Sequence, residues 1–112
     1  MNQNTTNKGN LYESKACDIL TQMGFTIIQR NYHAKKLGEI DIIALKNSVY
    51  HFVEVKSGEN FEAVYNITPS KLRKLYKSIE YYLKEKHLEV SFCVDAFVFY
   101  GNKYEYLENI SL

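Results

Sequence analysis

The chain has no tryptophan, one proline, five glycines and two cysteines in 112 residues. Cys17 and Cys93 lie far apart and no C-x-x-C occurs. Neither a secreted disulfide framework nor a zinc finger is therefore expected, and a reducing cytoplasm suits the chain. No apolar stretch approaches a membrane span, so no membrane partner is expected. Met1–Lys8 is polar and reads as a flexible N-terminus, not a signal peptide. Excess charge is missing too, with a formal net charge of +1. There is no repeat, linker or low-complexity tract, which leaves one domain over residues 1–112.

What is present suffices for a core. Hydrophobic residues make up 46% and charged residues 24%, so disorder is excluded and no staple is needed. Ten Tyr and six Phe favour strands. Charge is unevenly spread. The segment Pro69–Leu88 carries Lys71, Arg73, Lys74, Lys77, Lys84 and Lys86 against Glu80 and Glu85. Arg30, Lys35 and Lys36 form a second basic cluster, whereas the chain beyond Leu88 is acidic. Such polarity points to a polyanionic partner.

Asn10 with Glu13 three residues on reads as a capping box, opening a helix to about Met23 that Gly24 closes. Phe25–Arg30, Glu39–Leu45 and Ser48–Lys56 read as strands, the last two joined by a tight turn at Lys46-Asn47. Residues 57–67 read as a loop. Thr68-Pro69 starts a second helix, a capping hydroxyl followed by proline at the first helical position, running to about Lys86. Ser91–Tyr100, the most hydrophobic strand, is expected at the sheet centre, and Gly101-Asn102 turns it into Lys103–Asn109. The order α-β-β-β-α-β-β predicts an α/β fold, a mixed sheet with flanking helices.

The informative segment is Gly38-Glu39-Ile40-Asp41-Ile42-Ile43-Ala44, followed by Phe52-Val53-Glu54-Val55-Lys56. Residues i and i+2 of a strand share a face, so Glu39 goes with Asp41 and Glu54 with Lys56. A hairpin brings Asp41 beside Glu54, while Ile40, Ile42, Val53 and Val55 face the core. Paired carboxylates suit a hard divalent cation such as Mg²⁺ or Mn²⁺, and the Val55 carbonyl offers another oxygen. An adjacent ammonium would orient an attacking water. The bland alternative is a Glu54–Lys56 pair on a solvated face. On the first helix, Glu13 is the one charged residue within the apolar arc of Tyr12, Ala16, Ile19, Leu20 and Met23. It is either the cap partner or a carboxylate aimed at the sheet, and both roles can hold together.

Gly9…Glu13…Ala16, Gly24-Phe25, Arg30-Asn31-Tyr32, G-E-I-D-I-I-A and F-V-E-V-K together resemble the YraN-like family of small bacterial proteins. That family belongs to the restriction-endonuclease-like, PD-(D/E)xK superfamily, which includes archaeal Holliday junction resolvases. The resemblance implies that Asp41 and Glu54 are metal carboxylates, Lys56 the catalytic lysine and Glu13 a supporting carboxylate. It also implies a metal-dependent endonuclease acting on DNA, with branched or damaged DNA as the substrate class. The chain departs from the family at His33, Ser57-Gly58 and Cys93, where basic or polar residues are usual. Those losses favour the other reading, a non-catalytic nucleic-acid-binding or repair-complex partner.

Arg30, Asn31, Lys35 and Lys36 lie in a polar stretch ahead of the Asp41 strand, and Lys71 opens the second helix. These are the candidate phosphate contacts. On the second helix Leu72, Leu75, Tyr76, Ile79, Tyr82 and Leu83 form the core stripe, with Arg73, Lys74, Lys77, Tyr81 and Lys84 opposite. Asp95 reads as a structural buried carboxylate, and the cysteines as small core residues. His51 falls on the face opposite Glu54. One active site on so small a domain would require a homodimer to cut both strands.

Overall fold

The computed structural model describes residues 3–110. Helix α1 (Gln3–Gln22) precedes strands β1 (Thr26–His33), β2 (Glu39–Lys46) and β3 (Val49–Gly58). A one-turn helix α2 (Phe61–Val64), helix α3 (Pro69–Glu85) and strands β4 (Phe92–Tyr100) and β5 (Lys103–Leu107) complete the chain. The expected α/β order is thus present, with α2 added inside the segment read as a loop. Phe61 explains that turn, stacking on Tyr65 at 5.3 Å and meeting Tyr100 edge-on at 5.6 Å.

α1 begins seven residues before the expected cap. Asn10 lies inside the helix, because no proline interrupts the polar turns ahead of it and Gly9 is only mildly unfavourable. Glu13 is therefore released from a first-turn capping role. The far end behaves as expected. Gly24 adopts φ 96°, and the Phe25 N–H donates to the Leu20 carbonyl at 2.9 Å. The start of α3 follows the sequence signal as well, the Thr68 hydroxyl accepting from the Lys71 N–H at 3.2 Å ahead of Pro69.

The five strands lie in chain order, antiparallel except for the parallel β3–β4 pair that α3 bridges. β3 therefore holds the centre, and β4, expected there, is interior but next to the edge strand β5. The β2–β3 turn uses Asn47 and Ser48 at φ 52° and 65°, one residue later than expected. Two positive-φ residues match the twist of a two-residue hairpin, and Asn accepts that conformation readily.

The sheet separates two cores. On one side Ala16, Cys17 and Leu20 of α1 pack on Ile42, Val53, Phe97 and Phe99. On the other, Leu72, Leu75, Ile79 and Tyr82 of α3 cover Ile40, Ile43, Phe52 and Val94. Tyr81, read as exposed, also leans on this second core. No described helix is long and apolar enough to cross a membrane.

Phe97 is fully buried and stacks on Phe99, Tyr104 and Tyr106. Phe97→Ala should cost about 3–5 kcal/mol in urea unfolding. Thr68→Ala, which removes only the α3 cap, should cost about 1 kcal/mol in the same measurement.

Candidate functional site

The site forms where β2 and β3 part. Their ladder runs from Lys46–Val49 to Ile42–Val53. One step further, the Asp41 carboxylate takes the place of a backbone carbonyl, its Oδ2 accepting the Val55 N–H at 2.8 Å. Glu54, next in register, is hydrogen-bonded to Asp41 through the side chains. The expected juxtaposition of Asp41 and Glu54 is present.

Strand alternation slips at this point. Ile40 packs with Ile43 on the α3 side, whereas Ile42 packs with Ala44 on the α1 side. The expectation that Ile40 and Ile42 share a face is thereby corrected. Opposite Asp41, between the pairs Arg30–Ile42 and Tyr32–Ile40, stands Asn31 with φ 52°. A left-handed residue facing Asp41 turns β1 in step with β2, so Arg30 reaches α1 while Tyr32 enters the α3-side core. Asp41 is thus accessible from both layers.

From the α1 layer comes Glu13, whose side chain is 13% exposed and lies 3.7 Å from Arg30 Nη2. Asn31 hydrogen-bonds to it. Its Oε1 is nonetheless buried with no hydrogen-bond partner among the described residues. On the α3 side a cleft of about 260 Å³ is lined by Glu39, Glu54, Lys56, Lys71 and Lys74. Gly38 shapes its floor. A Cβ there would stand 2.9 Å from Ser78 Oγ and 3.5 Å from Lys74 Cε, so only glycine lets the β1–β2 connection close on α3. Among the described residues Lys56 makes no ion pair with Glu54, and both side chains line the cleft.

Placement of the basic candidates is uneven. Lys71 lines the cleft as expected, and Lys74 joins it although the helical projection set it on the outer face. The aliphatic stem of Lys74 passes close to Gly38, where a Cβ would stand 3.5 Å from Lys74 Cε, while the residue stays exposed. Arg30 and Asn31 serve Glu13, and Lys35 and Lys36 sit exposed in the β1–β2 connection.

Comparison with known proteins gives the chain a family. A profile described as "Uncharacterised protein family UPF0102" matches residues 12–99. The chain belongs to the UPF0102 family. It is similar to a UPF0102 protein of Sulfurovum sp. (strain NBC37-1), 53% identical over 105 residues and 93% of each chain. One of Helicobacter pylori (strain HPAG1) is 52% identical over 93% of this chain and 90% of its own. Another, from Wolinella succinogenes, is 52% identical over 94% of this chain and 96% of its own.

In this UPF0102 protein the electrostatics of the fork are unfavourable without a counter-charge. Burial, the Glu54 charge and the Glu54 hydrogen bond push the Asp41 carboxyl up to about 8, against the Val55 N–H, which pulls it down. Burial and the Asp41 charge likewise raise Glu13, opposed by Asn31 and Arg30. Like charges gathered in a partly dry site hold protons unless a cation compensates. The donors are all hard oxygens, the carboxylates of Asp41, Glu54 and Glu13 and the Val55 carbonyl. Together with Glu13 Oε1, which lacks a hydrogen-bond partner among the described residues though it lies 3.7 Å from Arg30 Nη2, they would suit a cation of the magnesium class.

A carboxyl raised in the folded state stabilises fully below its unfolded value near 4, and that contribution is lost as pH rises through about 8. In a chelator, the melting temperature of the wild type should therefore fall between pH 4 and 8. Asp41→Asn keeps the acceptor for Val55 and should flatten the fall, melting above wild type at pH 8. A parallel pair of pH profiles would show that the carboxyl is not under this strain.

Proposed function

We propose that this protein is a Mg²⁺- or Mn²⁺-dependent endonuclease hydrolysing DNA phosphodiester bonds, on branched or damaged DNA, in the cytoplasm. The observation that supports this reading is the Asp41–Glu54 pair, Asp41 accepting the Val55 N–H and Glu54 lining a cleft together with Lys56, Lys71 and Lys74. The five-stranded mixed sheet flanked by helices is compatible with the restriction-endonuclease-like fold. Hard acceptors and ammonium groups on one cleft are what phosphate hydrolysis requires.

Asp41 and Glu54 would hold the cation with the Val55 carbonyl, and Glu13 supports the site from α1. Bound there, the cation supplies Lewis-acid polarisation of the phosphate and a more acidic water. Lys56 projects into the same cleft and orients the attacking water, its ammonium offsetting charge that builds on the phosphate oxygens. Lys71 and Lys74 hold the flanking phosphate, and the Thr68-capped end of α3 adds its N–H dipoles. Cutting both strands of a duplex takes two copies of this chain.

Cleavage should be measured on linear, nicked, flapped and four-way DNA with Mg²⁺ or Mn²⁺. Lys56→Ala should lose at least about 10²-fold in rate while DNA affinity stays within a few-fold. Lys56→Arg should restore little, because a planar guanidinium does not replace a compact ammonium. Full cleavage by a folded Lys56→Ala variant would sink the mechanism.

Metal binding has its own readout. Mn²⁺ should raise the melting temperature of the wild type and leave Asp41→Asn/Glu54→Gln unmoved. One observation favours a second reading: Arg30 is engaged with Glu13 rather than directed to the cleft. A nucleic-acid-binding module without turnover would bind all these DNAs with a steep salt dependence and cut none. Replacing Lys35, Lys36 and Lys71 by Ala should then flatten the slope by about one log–log unit per lost phosphate contact.

A further inference from the structure

On the α1 side of the sheet, β3 and β4 bring together a second group of ligating atoms. His51 stands directly across the parallel ladder from Cys93, and Asp95 lies two residues along β4 on the same face. His51 Nδ1 is 2.6 Å from Asp95 Oδ2 and 3.1 Å from Cys93 Sγ. The three ligating atoms all lie within 4.8 Å of one another. His51 and Asp95 are buried, and Cys93 is half-buried.

The carboxylate is held in place by groups other than the imidazole and the thiol. Asp95 Oδ1 accepts the Asn109 N–H at 2.9 Å, and its Oδ2 accepts the Tyr106 hydroxyl. Phe25 meets the His51 ring edge-on at 4.8 Å and walls off one side. A Cys–His–Asp nucleophile relay does not fit, since thiol and carboxylate both approach Nδ1, and Nε2 stands 3.8 Å from Sγ. Burial and the Asp95 charge push the Cys93 thiol up to about 12, so a free thiol here is inert.

We propose that His51, Cys93 and Asp95 form a second metal site for a thiophilic divalent ion of the zinc type, separate from the carboxylate fork. A nitrogen, a sulfur and an oxygen donor make a zinc set with a fourth position left for water on the Cys93 side. Tyr106 and Asn109 supply the outer hydrogen bonds that orient a ligating carboxylate. Two ligands of a tetrahedral zinc stand about 3.3–3.6 Å apart, given bonds of about 2.0–2.3 Å. The ion therefore takes the place of the bridging protons, and the ring and thiol draw back by less than about 1 Å. The Cys93 thiol proton leaves to solvent, and the imidazole proton that bridges to Asp95 is exchanged from Nδ1 to Nε2, freeing the Nδ1 lone pair for the ion.

The full chain should be titrated with Co²⁺ and then with Zn²⁺. One equivalent of Co²⁺ should produce thiolate-to-cobalt charge-transfer absorption, which Zn²⁺ bleaches and Mg²⁺ does not. Cys93→Ser, which preserves size, should remove the absorption and stay folded by circular dichroism. His51→Ala should weaken uptake at least tenfold. Cys17→Ser and Asp41→Asn/Glu54→Gln should keep the signal unchanged. No absorption in the wild type, or absorption that survives Cys93→Ser, overturns the proposal and leaves the group as a hydrogen-bonded charge cluster. Loss of the signal in Asp41→Asn/Glu54→Gln overturns the separation of the two sites.

Discussion

The bond from the Val55 N–H to the Asp41 carboxylate is the constraint around which the fold is arranged. An antiparallel ladder propagates until something stops it, and here a side chain caps the next donor. The strands can then part without leaving a buried N–H unpaired, a loss of about 1–3 kcal/mol otherwise. The gap is what gives the sheet a chemical end. Glu54 and Lys56 lie just beyond the closed ladder, and the cleft opens beside them. Had the ladder continued, Ile40 would face Val55 and no space would remain.

Asp95 and Asp41 sit in opposite electrostatic surroundings. Asp95 is fully buried, and its oxygens meet the His51 imidazole, the Tyr106 hydroxyl and the Asn109 N–H. Donors surround it. Asp41 has one backbone donor, and its other close neighbours are carboxylates. A fold that only needed a polar residue there would do better with asparagine. The acid at this position is what the proposed cation would require, a negative oxygen donor.

Much of this was legible in the sequence because it is local. The Asp41 and Glu54 motifs sit on strands joined by a two-residue turn, so period two and one hairpin suffice to bring them together. Thr68-Pro69 and Gly24 likewise act within a turn of where they stand. Long-range features were hidden. Nothing near Cys93 in the chain indicates His51, since their contact exists only because α3 crosses to make β3 and β4 parallel. Lys74 looked external on a helical projection, which has no knowledge of Gly38 opposite it. The start of α1 was misplaced because a cap pattern, Asn10 with Glu13, also occurs by chance inside a helix.

The slip at Asp41 explains why both helices are needed at one site. A regular strand offers any given residue to one layer only, so a carboxylate facing α3 would be hidden from α1. Asn31 at φ 52° and the change of face between Ile40 and Ile42 break that rule on paired strands at the same level. Glu13 can then approach Asp41 from α1 while Glu54, Lys56, Lys71 and Lys74 gather on the α3 side. Acid comes chiefly from the sheet and α1, and base from β3 and α3. The Lys56, Lys71 and Lys74 ammonium groups share the cleft with Glu54 and Glu39, so its lining carries both signs of charge and is not purely anionic.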